Sequence, residues 1–268
     1  MIYSRAATCL IGQLQISKRT GWTADSWQLL YDDNEPLAVD PLLVVPLERY
    51  HKDHPLPDCR AYKLLGIYLD ENLNFNYHTT FLCNKLSRSL FCMRRAKNFL
   101  TPAALKTLYF AFIQSHLSYC PIVLSGISQH NFSQIKLIQK KAIRIITNSN
   151  YTAHTAPLFA QLQILPYELM VKQAKLLFMH SIEYDYAPTS FHNIWTKNFV
   201  NQGDRPLRNA DNYSLPNPHT ELFKKSPLYS LPSEWNKLDE NRYISNRATF
   251  KTAIKYSLLH SLIDDLNA

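Results

Sequence analysis

From residue 72 to residue 167 the chain carries ten Lys and Arg and not one Asp or Glu. Such a stretch cannot knit its surface together with ion pairs of its own. The acidic member of the usual i, i+4 pair is missing throughout. Whatever it folds into must be held by apolar burial, and must present a positive surface to solvent or to a partner. The flanks differ: residues 1–71 hold 7 basic and 10 acidic groups, residues 168–268 hold 12 and 11. The formal net charge of +8 is therefore a local property of the middle of the chain.

Inside that stretch the apolar residues recur at helical period. Leu82, Leu86, Leu90, Met93 and Leu100 fall within an arc of roughly 80° at 100° per residue, which predicts a helix over about 78–100. Lys85, Arg88 and Arg95 lie on another side of it, with Arg94 and Lys97 nearby. Thr101-Pro102 reads as an N-cap followed by proline at the first helical position, where the missing N–H costs nothing. A second helix then presents Leu105, Leu108, Tyr109, Phe112 and Ile113 and stops near Cys120, before Pro121. A third, over about 131–147, has Ile135, Ile138, Ala142, Ile145 and Ile146 on its apolar face, with Lys136, Lys140, Lys141 and Arg144 opposite.

Around this core the pattern predicts a mainly α protein in four parts. Residues 1–60 are a divergent segment with Trp22 and Trp27 as packing anchors, followed by a connector holding five prolines between 36 and 57. Residues 61–77 form a β hairpin, read as the strand YKLLGIYLD turning at Asp70-Glu71-Asn72. Residues 78–150 are the basic helical bundle. Residues 151–268 are a proline-interrupted helical region, with helices over about 167–183 and 247–266 and an irregular stretch with six prolines over 184–235.

Composition excludes several classes. A hydrophobic content of 46% at this charge is too high for wholesale disorder. No run approaches the roughly 18 apolar residues of a membrane span, and the first residues, MIYSRAATCLIGQLQISKRTG, lack the continuous apolar core of a signal peptide. Five cysteines without a CxxC pair point to reduced thiols and an intracellular location, nuclear or cytoplasmic.

Catalytic motifs are scarce. Leu30-Tyr31-Asp32-Asp33 has the adjacent aspartates with which polymerases hold two metal ions, but Asp32-Asp33-Asn34-Glu35-Pro36 reads as a hydrophilic turn. His116 and Cys120 stand at i, i+4 with no further ligands in view, so they read as a core histidine and a core thiol. There is no phosphate-binding glycine loop, no nucleophile–histidine grouping and no predicted catalytic or metal-ligating set. The positive reading is phosphate contact by Lys85, Arg88, Arg94, Arg95, Lys97, Lys136, Lys140, Lys141 and Arg144, directed at the backbone of a nucleic acid rather than its bases.

Four strings carry a resemblance: YKLLGIYLDENLNF (62–75), LKTLYFAFIQSHLSYCPIVL (105–124), IQKKAIRIITNSNYTAHTAPLFAQLQIL (138–165) and YSLPSEWNKL (229–238). In order and spacing they resemble the region past the palm in reverse transcriptases of non-LTR (LINE or jockey-like) retrotransposons, over residues 60–268. The resemblance implies a primer grip at Leu64, Leu65 and Gly66, with Leu64 in place of the usual aromatic. It also implies a thumb that holds RNA or an RNA–DNA primer–template duplex, with Lys140, Lys141 and Arg144 on a thumb helix. The family's aspartate strand lies much further upstream of the grip than Asp32-Asp33 does here, and its aromatic is Leu30 in this chain. The implied object is thus a carboxyl-terminal part of an RNA-directed DNA polymerase, working with fingers and palm supplied from upstream. It needs no cofactor itself, Mg²⁺ belonging to the full-length enzyme. The alternative is a non-catalytic helical protein-interaction module domesticated from such an element.

Overall fold

The computed structural model describes residues 61–70, 74–198, 210–238 and 240–267. Trp22, Trp27, Asp32-Asp33 and the proline connector lie outside the described residues. The architecture is predominantly α-helical, with one small antiparallel hairpin ahead of the helices and proline-containing helices towards the carboxyl end.

Strands β1 (Ala61–Leu64) and β2 (Ile67–Asp70) pair with Leu64 opposite Ile67. The turn is therefore Leu65-Gly66 and not Asp70-Glu71-Asn72. Both turn residues have positive φ, 46° and 85°, as a two-residue hairpin with the right-handed strand twist requires. Asp70 has a different task. Its carboxylate accepts the backbone N–H groups of Asn74 (2.6 Å) and Asn76 (3.1 Å), serving the otherwise unsatisfied amino end of the next helix.

That helix, α1 (Asn76–Ala96), buries Leu82, Leu86, Leu90 and Met93 as its period predicts, and also His78 and Thr79. Leu100 falls beyond its end and is partly exposed. His78 fastens the hairpin: its Nδ1 accepts the backbone N–H of Tyr68 at 3.4 Å, and burial pushes its pKa down to about 4. An imidazole neutral in the fold but titrating near 6.5 when unfolded binds more protons in the unfolded chain. Its stabilising contribution is present above pH 6.5 and is lost as the pH falls towards 4. With partial solvent screening the loss is about 2 kcal/mol. We expect the His78 ring protons to titrate near 4 by NMR, with the Tyr68 amide exchanging faster in the same window; a midpoint near 6.5 would show that the hairpin is not fastened this way.

Helix α2 (Pro102–Tyr109) begins as predicted, with Thr101 Oγ1 accepting from the Ala104 N–H and proline at the first position. It continues through a π-helical stretch, Phe110–Gln114, into a final α turn, Ser115–Leu117. The buried residues are Leu105, Tyr109, Ile113 and Leu117, spaced by four. A normal α-helix at 3.6 residues per turn would rotate this row off the core, and the wider π turn keeps it there. Phe112, placed on the apolar face by the 3.6-residue period, is instead 48% exposed.

Helix α3 (Gln129–Ile146) is capped by Ser128, whose hydroxyl accepts from the Asn131 N–H. Among the described elements it packs on α1 more extensively than any other pair pack together. The Asn131 side chain donates to that of Asn76 at 2.6 Å, so α1 and α3 begin side by side. Between α3, α2 and the next long helix runs a buried polar network. Gln139 donates through Nε2 to the Tyr109 hydroxyl (2.9 Å) and the Leu165 carbonyl (3.0 Å), and accepts the Tyr167 N–H at 2.7 Å. Tyr109 in turn donates to Gln114.

Helices α4 (Ala156–Leu162) and α5 (Tyr167–Glu183) follow, then α6 (Glu221–Lys225), α7 (Pro227–Asn236) and α8 (Arg247–Asn267). Helices α6 and α7 fall within the proline-rich stretch read as irregular. Pro232 sits inside α7 without breaking it. Its missing N–H would have bonded the Leu228 carbonyl four residues back, and the Trp195 indole N–H donates to that carbonyl at 3.0 Å instead. Helix α8 closes the core against α5 through Phe250, stacked on the buried His180 ring at 4.3 Å between centroids. Trp235 of α7 lies against both rings.

Candidate nucleic-acid interface

The way α3 ends builds the site. Asn148 adopts φ 53°, and the N–H groups of Asn148 and Ser149 return to the carbonyls of Ile145 and Arg144. This is a left-handed cap closing the helix with its orphan carbonyls satisfied. Asparagine tolerates that conformation better than most residues with a side chain. The chain then doubles back, so that residues 149–153 pass over the last turn of α3. Arg144 holds them there: its Nε and Nη2 both donate to the Ala153 carbonyl, at 3.0 and 2.9 Å, and its guanidinium lies 5.9 Å from the centre of the Tyr151 ring.

Between this loop and the carboxyl end of α1 lies an open cleft of about 420 Å³, lined by Arg94, Lys97, Lys141, Arg144, Ile145, Ser149 and Tyr151. Helices that start together thus also end together, and each brings two cations to the same place. Cations at helix carboxyl ends complement the negative pole of the macrodipole, so part of this charge serves the helices themselves. The arithmetic leaves a surplus: two helix ends supply about −0.5 each, against four full positive charges, for a net of roughly +3. No carboxylate among the described residues forms an ion pair with any of the four. A concave, positive, partly apolar cleft with cations from two packed helices around it suits a phosphate group.

The structure divides the remaining predicted cations. Lys136 and Lys140 share one flank of the buried face of α3, and Lys141 stands on the other, because one residue along a helix rotates the side chain by about 100°. Lys136 is paired with Glu168 of α5 at 2.5 Å, a tertiary partner from just beyond the acid-free stretch. All four basic residues of α3 lie away from its buried row, as their spacing predicts, and each is partly buried by neighbouring groups. On α1, Lys85, Arg88 and Arg95 are exposed and do not line the cleft. Arg95 lies 5.5 Å from the Phe91 ring centre, and the Lys85 ammonium adds to burial in lowering the pKa of His116.

Leu64, Leu65 and Gly66 stand at the other end of α1, on the hairpin turn. Tyr119 secures that turn: its hydroxyl donates to the Leu65 carbonyl, and its ring lies 3.7–3.9 Å from where a Cβ at Gly66 would be. With φ at +85°, Gly66 also occupies a conformation that side chains strain against. The hairpin is thus fixed to the chain leaving α2, and the apolar turn and the basic cleft sit at opposite ends of one bundle.

His116 and Cys120 do not form an i, i+4 pair, because the helix ends at Leu117 and Cys120 has left it with φ 46°. Cys120 is buried as expected of a core thiol, whereas His116 is only half-buried. Among the described residues no group of three or more His, Cys, Asp or Glu is placed to hold a metal ion. Asp32-Asp33 lies outside them. No described helix is long and apolar enough to cross a membrane. Searches of protein-family models, curated proteins and solved structures return no match to this chain.

Proposed function

We propose that this chain holds the sugar–phosphate backbone of RNA or of an RNA–DNA primer–template duplex, as the thumb-side part of a non-LTR retrotransposon reverse transcriptase, without polymerase chemistry of its own. The observation that carries the reading is the cleft where α1 and α3 end together, with Arg94, Lys97, Lys141 and Arg144 around it. The four resembling strings agree with it, and one of them, residues 138–165, contains both Lys141 and Arg144.

Salt dependence is the direct test. With four phosphates neutralised, the log of the affinity for an RNA–DNA duplex should fall against log salt with a slope of roughly −3 to −4. That is about a hundredfold loss over a fourfold rise in salt. Binding that ignores salt, or no binding at low salt, overturns the proposal.

One observation favours the protein-interaction alternative. Tyr77 and Phe81 project from α1 as exposed aromatics and pack edge-on against Tyr68 of the hairpin, at 4.9 and 5.1 Å. That reading expects a defined oligomer by light scattering and no retention of nucleic acid at moderate salt.

A further inference from the structure

The shape of the cleft says more than its charge. A duplex offers a long convex backbone, best met by cations spread along an exposed face. Here the cations surround a hollow of about 420 Å³, at the lower end of the roughly 300–1,000 Å³ of small-ligand sites. One wall is the ring of Tyr151, 74% exposed although Arg144 approaches it. The backbone on both sides of Tyr151 is held by the left-handed cap at Asn148 and by the Arg144–Ala153 hydrogen bonds, so the loop that carries the ring over the cleft is already formed. Phosphate-binding cations beside a pre-positioned aromatic face are the two components of single-strand recognition, in which an unstacked base lies on a ring while its backbone meets positive charge.

Resting on the backbone-binding reading above, we infer that the cleft takes one unpaired nucleotide of a strand, its own and flanking phosphates among Arg94, Lys97 and Lys141 and its base against Tyr151. The preferred ligand is then a duplex with a single-stranded overhang, or a single strand, in preference to a blunt duplex. Phe91 provides an internal comparison. It is also an exposed aromatic beside an arginine, Arg95, but it does not line this cleft.

The test compares blunt and overhanging RNA–DNA duplexes of equal paired length by fluorescence anisotropy with the full chain, at one salt concentration. The overhanging duplex should bind about tenfold more tightly. Tyr151→Leu should remove that advantage, Tyr151→Trp should keep it, and Phe91→Leu should leave it intact. A 2-aminopurine placed in the overhang should lose fluorescence on binding to the parent chain and not to Tyr151→Leu. Equal affinity for the two duplexes, or an advantage that survives Tyr151→Leu, overturns this inference alone. A nucleoside monophosphate competing as well as the strand overturns it too, by making the cleft a free-nucleotide site. A chain that binds neither duplex overturns both readings.

Discussion

Replacing Gln139 with leucine is expected to cost about 3–5 kcal/mol of folding stability, although leucine is similar in size and the site is fully buried. The reason is what the amide leaves behind. The Tyr167 N–H, at the amino end of α5, loses its acceptor, and the Leu165 carbonyl and Tyr109 hydroxyl lose a donor. A buried polar group left unpaired costs roughly 1–3 kcal/mol, and three are affected here, the tyrosine least because it still donates to Gln114. Against a typical total of about 5–15 kcal/mol, the variant should be visibly marginal. Urea unfolding followed by tryptophan fluorescence reads this as a lower midpoint at unchanged slope. Gln139→Glu separates polarity from shape. It keeps an acceptor for Tyr167 but places a carboxyl in the core, where burial raises its pKa, so its stability should fall further as the pH rises through that raised value. A loss below about 1 kcal/mol for both variants would mean the network does not hold the bundle.

The network also bears on the site. Gln139 ties α3 to α2 and to the start of α5, so it fixes the rotation of α3 about its own axis. That rotation decides which neighbouring cations face α1 and which face α5.

Some of this was written in the sequence and some was not. The bounds of helix α5 were legible, since Pro166 stands immediately before it and marks its start. The Thr101-Pro102 start of α2 was legible for a local reason as well, the cap and the missing donor both being properties of two adjacent residues. The π stretch was not, because a 3.6-residue ruler places Phe112 inside, and only tertiary packing selects the four-residue row of Leu105, Tyr109, Ile113 and Leu117. Helix α7 was hidden by Pro232, whose cost is offset by an indole 37 positions earlier, at Trp195. The hairpin turn was misplaced because Gly66 reads equally well as a strand residue until pairing shows Leu64 opposite Ile67. For the site, the sequence identified the basic helices but not their division. A wheel drawn for α3 alone puts four cations on one side. Which of them meet α1, and which meets Glu168, depends on a neighbour that the wheel does not contain.

That division makes the sharpest functional prediction. Lys97→Glu/Lys141→Glu should lower duplex affinity by about a hundredfold or more at moderate salt, since two phosphate contacts are replaced by two repulsions. The log–log salt slope should flatten by about 2. Lys140→Glu makes one of the same charge changes one residue away from Lys141, and should weaken binding by no more than about threefold, because only bulk charge is altered. Both proteins should keep their helical content. Lys97 complements the end of α1 by at most about 1 kcal/mol, Lys141 stands more than a turn before the end of α3, and neither lysine of the double variant forms an ion pair in the fold. Equal losses for Lys140→Glu and for Lys141→Glu alone would show that binding follows net charge alone. In that case the meeting of α1 and α3 at the cleft would be a consequence of stabilising two helix ends and not a binding site. An effect confined to 97 and 141 requires a ligand that occupies the cleft, because two lysines in successive positions on one rigid helix differ in little except the direction in which they point.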